Sequence, residues 1–381
     1  MPPRIAFVIE QALGHVAYGA GLRRALAGRD DAELVWIEVP FQPEGLGRLP
    51  LVRNNWTLRG SLEAARSIRR EDARRPLDAM FIHTQTIGLF AGGLMRRIPT
   101  LLSLDATPMN VDTLAGPYQH QVSPAPVEAL KRLLHRRMVA RARYFTTWSA
   151  WAKDSLVRNY RADAARVQVL HPGTDMTLFP PTAMRPSSPA APLRVLFVGG
   201  DFGRKGGDVL VDAWQRLPAG SCELDIVTGS DVAPRPGLRV HPGLKPHSPE
   251  LLTLYGQADV FALPTRGDCL AVVLGEAMAA SLPIITTRVG AHAEAVDDGM
   301  TGYLVELDDA PAIAAHLARL AEDRALAASM GAASRALGEA RFDMNHNAAR
   351  IADMLVDLAA GNSIPAAPEQ PRAVREREPV A

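Results

Sequence analysis

Short apolar runs alternate with segments of helical pattern along most of this 381-residue chain. Six such runs occupy the first half: Ile5–Ile9, Leu34–Val39, Ala79–His83, Thr100–Leu104, Tyr144–Thr147 and Val167–Leu170. Strands that alternate with helices form parallel sheets, because each crossover needs a connection long enough to hold a helix. The first half is therefore predicted to be an α/β domain with a parallel sheet.

A proline-rich stretch, Phe179–Pro192, interrupts this pattern and favours neither a helix nor a strand ladder. The alternation then restarts with the runs Arg194–Val198, Leu224–Val227, Asp259–Leu263 and Pro283–Thr286. We predict a first domain at 1–180, a linker at 181–192, a second α/β domain at 193–340, a packed C-terminal helix at 341–361 and a disordered tail at 362–381.

Length and composition agree with two domains, because 381 residues with 47% hydrophobic content can bury two cores. The 42 basic and 41 acidic residues nearly cancel, so no global field draws the chain to nucleic acid. The two cysteines, Cys222 and Cys269, have no metal-ligand spacing and indicate a reducing compartment. No apolar stretch is long enough for a signal peptide or a membrane span, so the protein is predicted to be soluble and cytoplasmic.

Two acids eight residues apart, Asp268 and Glu276, stand out in the second half. They lie across a loop and the helix that it opens. Eight residues of helix would rise about 12 Å, which is comparable to the distance between the sugar and the ribose of an extended nucleotide sugar. The amides at the start of that helix would offer unpaired donors to a diphosphate. The alternative is that Asp268 is a helix N-cap and Glu276 an exposed helical residue.

A glycine-rich loop, Val198–Gly207, follows the first strand of the second domain and leads into a helix. A strand, a glycine loop and a helix in this order form a phosphate site. Arg204 and Lys205 would neutralise the charge on a departing diphosphate without a metal. The alternative is a solvated turn with two surface charges.

Together these motifs resemble the group 1, family 4 retaining glycosyltransferases, from Ala258–Pro264 through Asp268–Glu276 to Gly302–Val305. The resemblance implies a GT-B fold, an α/β architecture in which two Rossmann-like domains face a cleft and a C-terminal helix packs back on the first domain. It implies a metal-independent transferase of the hexosyltransferase class that takes a nucleoside-diphosphate sugar, UDP- or GDP-linked, as co-substrate and needs no cofactor.

By this resemblance Glu276 holds the ribose, Asp268 contacts the transferred sugar, and Lys205 and Arg204 bind the diphosphate. The residues assigned to donor binding are Gly14, Gly200, Leu270, Ala271, Val272 and Glu276. Where the family has Glu-Gly-Phe-Gly this chain has Asp268-Cys-Leu-Ala271, and Gly200 occupies the place of a common arginine, so Arg204 would replace that arginine.

The first domain supplies candidates for the acceptor or sugar side at the ends of its strands, where open α/β sheets bind ligands. Gly14 and His15 follow the first strand, His83 ends the third and Asp105 follows the fourth. Gly14 permits close backbone approach to a ligand. Family members often carry a histidine at the position of Asp105. His15 has an alternative role as a packing or capping residue.

The chain contains no Asp-x-Asp pair, which removes a common manganese-diphosphate ligand set, and we predict no metal site. The basic stretch Lys131–Arg143 suggests peripheral contact with anionic lipid. The alternative is a solvated helix face that buries Leu133, Leu134 and Met138.

The acceptor is unidentified: a polysaccharide, a lipid-linked molecule or a small molecule. Alternative functions are a nucleotide-sugar epimerase of the same fold and a non-catalytic nucleotide-sugar binding protein. A dinucleotide oxidoreductase is disfavoured, because neither first-strand loop reads Gly-x-Gly-x-x-Gly.

Overall fold

The computed structural model describes residues 2–12, 14–42, 55–114, 116–118, 123–179 and 191–365. The chain forms two compact units: Met1–Gly173 with Asp343–Ala366, and Thr174–Phe342. The N-terminal segment of the first unit thus ends at Gly173, seven residues before the end of the predicted first domain. Most of the predicted linker, 181–190, lies outside the described residues.

The first unit contains a parallel sheet in the order β2-β1-β3-β4-β5-β6. Its strands β1 to β6 span Arg4–Gln11, Glu33–Pro40, Ala79–His83, Thr100–Leu104, Tyr144–Thr147 and Val167–Val169. Its helices are α1 (Gly14–Ala25), α2 (Trp56–Arg74), α3 (Gln85–Gly88), α4 (Pro108–Thr113), α5 (Ala125–Val139) and α6 (Ala150–Tyr160). Every residue of β3 and β4 is buried, as expected of central parallel strands covered on both faces.

The second unit contains a parallel sheet in the order β12-β11-β10-β7-β8-β9. Its strands β7 to β12 span Leu193–Val198, Cys222–Thr228, Leu238–Pro242, Val260–Leu263, Ile284–Thr287 and Gly302–Val305. Its helices are α7 (Gly207–Gln215), α8 (Pro249–Gln257), α9 (Val272–Ala279), α10 (Ala310–Glu322) and α11 (Arg324–Arg341). Two parallel sheets with crossover helices confirm the predicted α/β fold with two Rossmann-like domains.

The ten strands predicted from apolar runs are all present, with ends that agree within two residues. The structure adds β9 and β12, which lie at the two edges of the second sheet. Strand β9 is half-buried or exposed after its first residue, so it leaves no continuous buried apolar run. Strand β12 is buried throughout, and its short run was not recognised as a strand from the sequence.

The C-terminal helix α12, Met344–Ala359, belongs to the first unit and packs against α1 and β3. Gly21 and Gly173 make room for this contact, since a side chain at either position would overlap Met344. The predicted packing of this helix on the first domain is thus confirmed.

The chain beyond α12 remains ordered for longer than predicted. Ile364 is buried and its amide donates to the hydroxyl of Tyr144 at 3.1 Å, while Gln168 bonds the Pro365 carbonyl at 2.8 Å. The prediction of disorder from residue 362 is therefore wrong for 362–365, because those residues bond to the end of the first sheet. The rest of the predicted tail, 366–381, lies outside the described residues.

Within the described ranges, no helix combines the length and the apolar character that crossing a bilayer requires.

Gly206 joins the loop after β7 to α7 in a conformation that favours glycine. Its φ is +73°, and a Cβ there would overlap the carbonyl oxygen of Pro264 at the end of β10. The absence of a side chain lets the two strand-end loops approach each other. The chain elsewhere offers a matched glycine, Gly220, with φ +79° and open space around its Cα.

Gly206→Ala should therefore lower the free energy of unfolding by about 3 kcal/mol, from backbone strain plus displacement of the loop. Gly220→Ala should cost only the strain, about 1 kcal/mol. Urea denaturation followed by tryptophan fluorescence measures both. Equal losses in the two variants would show that the close approach to Pro264 has no energetic weight.

Candidate functional site

The strand order of the second sheet reverses between β7 and β10, so the loops that follow these neighbouring strands lead away on opposite sides. Such a reversal is where open α/β sheets bind ligands. Several hydrogen bonds connect the two loops. Among them, the Arg266 amide donates to the Arg204 carbonyl at 2.9 Å, the Thr265 hydroxyl donates to the same carbonyl at 3.2 Å, and the Arg204 guanidinium donates to the Gly267 carbonyl at 2.7 Å. The predicted glycine loop and the predicted acidic loop therefore form one site.

Lys205 and Asp268 form an ion pair across these two loops. Their side chains are only 14% and 11% exposed. Gly199 leaves room for the lysine, since a Cβ there would lie 3.0 Å from the Lys205 side chain. A buried lysine and aspartate that were predicted to serve one ligand are thus in direct contact.

Helix α9 begins immediately after the acidic loop, with Ala271 as an N-cap that makes no side-chain capping bond. Among the residues that the structure describes, no acceptor lies within bonding distance of the Val272 and Val273 amides. The Ala271 amide, predicted to face the ligand, instead donates to Nε2 of His292 at 3.4 Å. The two free amides and the positive end of the helix dipole remain as an anion-binding surface.

Glu276 is the fifth residue of α9 and is 7% exposed. The Tyr255 hydroxyl donates to its Oε2 at 2.7 Å, and Nε2 of His247 lies 3.4 Å from its Oε1. Burial and the charge of Glu276 raise the pKa of Tyr255 well above its usual value, so the phenol stays a donor. Sequence reasoning missed both Tyr255 and His247, since each lies on a separate segment with no motif.

The alternative interpretation of the acid pair, an N-cap aspartate and an exposed helical glutamate, is wrong on both counts. The helix begins at Val272 rather than at Asp268, and Glu276 is buried. As the sequence suggested, a loop and the helix that it opens separate the two acids, so only the second part of their separation is helical. Cys269, Leu270 and Ala271 are 9%, 4% and 5% exposed, so their side chains are buried.

Three amides of the loop after β7 bond to carbonyls within the loop. The amides of Lys205, Gly206 and Gly207 donate to carbonyls earlier in the same loop at 3.0, 3.1 and 2.8 Å. Asp208, at the start of α7, accepts two bonds of 2.8 Å from Arg266. The side chain of Lys205 is the part of this loop that contacts Asp268.

Arg204 and Gly200 are placed less favourably than predicted. The guanidinium of Arg204 bonds the Gly267 carbonyl and lies 3.4 Å from the Asp201 carboxylate, so it is already bound to protein groups. Gly200 is exposed, with open space where a Cβ would stand. Lys205 also has a protein partner, the Asp268 carboxylate.

His292 holds the acidic loop in place and is fully buried. Its Nδ1 lies 2.8 Å from the Thr286 hydroxyl, and Ala291 donates to the Cys269 carbonyl at 2.8 Å. Burial lowers the pKa of His292 to about 4, so the ring is neutral and its Nε2 accepts from Ala271. The turn around His292 therefore positions the acidic loop.

The first sheet reverses its order between β1 and β3, and the acceptor-side candidates meet there. His15, the second residue of α1 after Gly14, has its Nδ1 2.8 Å from Nε2 of His83. Its Nε2 is 3.9 Å from the Asp105 carboxylate. The structure therefore brings His15, His83 and Asp105 together, as the positions of their strands predicted.

Glu10, at the end of β1, completes this group and was not singled out from the sequence. Its carboxylate is 4% exposed, lies 3.3 Å from Nε2 of His15 and accepts a bond of 3.3 Å from Trp56. Burial raises the pKa of Glu10 to about 7, against the opposing effect of His15. We call Glu10, His15, His83 and Asp105 the histidine cluster.

His83 is the interior member of the histidine cluster, with no exposed surface. Its Nδ1 lies 3.0 Å from the Ser103 hydroxyl, and its ring stacks on Trp148 with centroids 5.1 Å apart. Burial, aided by the charge of His15, lowers the pKa of His83 well below its usual value. His83 is therefore neutral and fixes the orientation of His15.

Across the described part of the chain, no three His, Cys, Asp or Glu side chains are arranged to hold a metal ion. Metal independence remains a prediction.

Residues 192–323 match the family described as Glycosyl transferases group 1, and residues 18–178 match Glycosyltransferase Family 4. Together the two matches cover more than half of the chain. The chain belongs to the group 1, family 4 glycosyltransferases.

One relative of this chain is the D-inositol 3-phosphate glycosyltransferase of Arthrobacter sp. (strain FB24), which is 32% identical over 200 residues. That segment is 47% of this chain and 47% of the relative. The chain thus matches about half the length of its curated relatives.

Solved glycosyltransferase structures share the fold. The sucrose-phosphate synthase of Thermosynechococcus elongatus gives a TM-score of 0.74 at 20% identity, over 94% of this chain and 100% of that one. HepE of Anabaena, solved in complex with UDP and glucose, gives a TM-score of 0.66 at 16% identity. The match covers 92% of this chain and 98% of HepE. At these identities the likeness shows the fold alone.

The raised pKa of Glu10 predicts a pH-dependent stability. Its folded-state pKa of about 7 exceeds the ordinary 4.5, so its stabilising contribution is complete below 4.5 and is lost as the pH rises through about 7. Glu10→Gln mimics the protonated acid. Its free energy of unfolding should therefore rise relative to that of the wild type between pH 5 and pH 8, by up to roughly 3 kcal/mol.

Chemical denaturation at several pH values measures this difference. Glu63→Gln, at an exposed glutamate of the same unit, serves as the control and should change little with pH. A parallel pH dependence of wild type and Glu10→Gln would show that Glu10 titrates as it does in an unfolded chain.

Proposed function

We propose that this protein is a retaining, metal-independent glycosyltransferase that moves a sugar from a nucleoside-diphosphate sugar to a hydroxyl group of an acceptor. The observation that carries the proposal is the buried Lys205–Asp268 ion pair beside the uncapped start of α9. Buried charges next to unpaired amides are costly to maintain unless a ligand uses them. Membership of the glycosyltransferase family supports the same conclusion.

The diphosphate of the donor would bind at the start of α9. The Val272 and Val273 amides would donate to its oxygens, and Lys205 would add a charge-assisted bond through one of its three N–H groups. As the anomeric bond breaks, negative charge accumulates on the departing diphosphate. The ammonium and the helix dipole stabilise that charge more than the charge of the intact donor, which is the requirement for catalysis.

Glu276 would bind the ribose hydroxyls of the donor. Tyr255 bonds Oε2 of Glu276, and each carboxylate oxygen can accept more than one bond. The phenol thereby fixes the carboxylate for an incoming hydroxyl. His247, 3.4 Å from Oε1, is a second group that the ribose or the base would meet.

Asp268 would contact the transferred sugar while Lys205 neutralises its charge. With this arrangement we propose attack on the same face as the leaving diphosphate, which retains the anomeric configuration. Proton NMR of the fresh product distinguishes the two anomers, and an inverted product would overturn this part of the proposal.

UDP is the donor nucleotide that the comparisons favour, since HepE was solved with UDP and glucose, and GDP is the second candidate. No cofactor is required. The acceptor would bind at the histidine cluster of the first unit, and its identity stays open among polysaccharide, lipid-linked and small-molecule hydroxyls.

Peripheral membrane contact through Lys131–Arg143 stays a prediction from the sequence. Helix α5 supports it with Val127, Leu130 and Leu133, whose side chains are 44%, 56% and 46% exposed. The alternative, a solvated helix face, expected both Leu133 and Met138 to be buried. Met138 is buried, whereas Leu133 is exposed. Co-sedimentation with anionic vesicles tests this contact.

Calorimetric titration of UDP, GDP and ADP into the protein in the presence of a chelator tests the donor site. One nucleotide should bind the wild type, and Lys205→Ala should weaken it at least tenfold, because the diphosphate loses a charge-assisted bond of about 1.5–3 kcal/mol. Arg216→Ala, which removes a positive charge from the far end of α7, should bind as the wild type does.

Equal losses of nucleotide affinity in Lys205→Ala and Arg216→Ala would indicate a general effect of positive charge rather than a specific site. Unchanged nucleotide binding by Lys205→Ala would contradict the proposal. Incubation of the matching nucleotide sugar without an acceptor separates the alternatives. Isomerised donor would indicate an epimerase, and binding with no turnover even in the presence of acceptors would indicate a binding protein.

A further inference from the structure

The imidazole of His247 lies beside the carboxylate of Glu276, the acid proposed to bind the ribose. Nε2 of His247 is 3.4 Å from Oε1 of Glu276, whereas an N–H···O bond is usually about 2.7–3.2 Å long. The two side chains are 27% and 9% exposed, so the imidazole is the more accessible of the pair. A ligand group that reaches Oε1 of Glu276 therefore also meets the ring of His247.

The backbone of His247 has a conformation that residues other than glycine rarely adopt. Its φ is +59°, in the left-handed region. The amide of the next residue, Ser248, donates to the Lys245 carbonyl at 3.1 Å, and the Ser248 side chain caps helix α8. His247 is thus held between a closed turn and the start of a helix. Strained residues of this kind are concentrated at binding sites.

One buried aromatic ring supports both partners of Glu276. Phe179 packs edge-to-face on His247, with centroids 6.2 Å apart and an interplanar angle of 83°. It packs in the same way on Tyr255, at 5.3 Å and 89°. All four residues belong to the second unit. The imidazole and the phenol therefore have fixed positions around the carboxylate.

The two carboxylate oxygens of Glu276 have different partners. The Tyr255 hydroxyl donates to Oε2 at 2.7 Å, and burial together with the charge of Glu276 raises the pKa of that phenol well above its usual value. The phenol thus stays a donor to Oε2. His247 is on the side of Oε1, where the distance leaves the contact open to an inserted hydroxyl oxygen.

We propose that one ribose hydroxyl of the donor nucleotide binds to both Oε1 of Glu276 and Nε2 of His247, and that His247 makes the site selective for ribonucleotides. The hydroxyl donates to the carboxylate and accepts from Nε2–H. This inference rests on the proposed function and adds to it a residue that determines specificity.

A hydroxyl suits this position because it is both a donor and an acceptor. Oε1 of the carboxylate can only accept and Nε2–H can only donate, so one hydroxyl oxygen satisfies both groups. The neighbouring carboxylate favours a proton on Nε2. Both the neutral ring in that tautomer and the imidazolium carry this N–H, so the role of His247 does not depend on the charge of the ring.

A deoxyribose would leave the two groups without this oxygen. The bound nucleotide would still exclude water from Oε1 of Glu276 and from Nε2–H of His247, which are too far apart for a good bond to each other. Unpaired polar groups in a closed site are costly, and for this reason sites that bond a ligand hydroxyl reject the analogue that lacks it.

The test compares ligands as well as variants. UDP, 2′-deoxy-UDP and 3′-deoxy-UDP are titrated by calorimetry into the wild type and His247→Gly, with the guanosine forms used if GDP is the nucleotide that binds. Glycine removes the ring and adopts a positive φ without strain, so the fold is kept. Ser281→Gly is the matched control, because Ser281 has the same φ of +59° and lies beyond the C-terminal end of α9.

The wild type should bind one of the two deoxy nucleotides at least tenfold more weakly than UDP. His247→Gly should weaken UDP about fivefold, the effect of one lost hydrogen bond. It should change the affinity for that deoxy nucleotide by less than about twofold, because the bond is already absent from that complex. Ser281→Gly should keep all the wild-type affinities.

Equal weakening of all three nucleotides by His247→Gly would overturn the inference, because the ring would then act on the base or on the loop rather than on a ribose hydroxyl. Equal wild-type affinities for UDP and both deoxy nucleotides would also overturn it, while the diphosphate site of the proposed function would stand. If no nucleoside diphosphate binds the wild type, the proposed function fails and this inference fails with it.

Discussion

Parallel strands place all their carboxyl ends on one edge of a sheet, and in each unit of this protein the strand order reverses beside the first strand. The loops on either side of that reversal lead away from each other and leave space for a ligand. In the second unit the space holds the Lys205–Asp268 pair and the start of α9; in the first it holds the histidine cluster. Every group assigned a chemical role here lies at one of these two reversals or in a segment that bonds to it.

The two sites suit different charges. The second unit presents a neutralised ion pair and two free amides at a helix N-terminus, which favours an anion. The first unit presents a carboxyl whose pKa burial raises to about 7, beside the His15 imidazole.

Much of the fold was predictable because central parallel strands are buried on both faces and leave continuous apolar runs. Strand β9 was not, because it is half-buried or exposed after its first residue. Strand β12 is buried but was not recognised as a strand from the sequence. In the site, Lys205, Asp268 and Glu276 were identified through resemblance to a family, and the structure shows two of them in contact. Glu10, Tyr255 and His292 were missed, because each acts through a partner on another segment and nothing in the adjacent sequence marks that partnership.

The central claim is that the start of α9 and Lys205 form a nucleoside-diphosphate site. A crystal structure of the protein with UDP tests it most directly. The account predicts phosphate oxygens within hydrogen-bond distance of Lys205 and of the Val272 and Val273 amides, with the ribose hydroxyls on Glu276. A nucleotide bound with its diphosphate at the start of α7, or away from the second unit altogether, would contradict it.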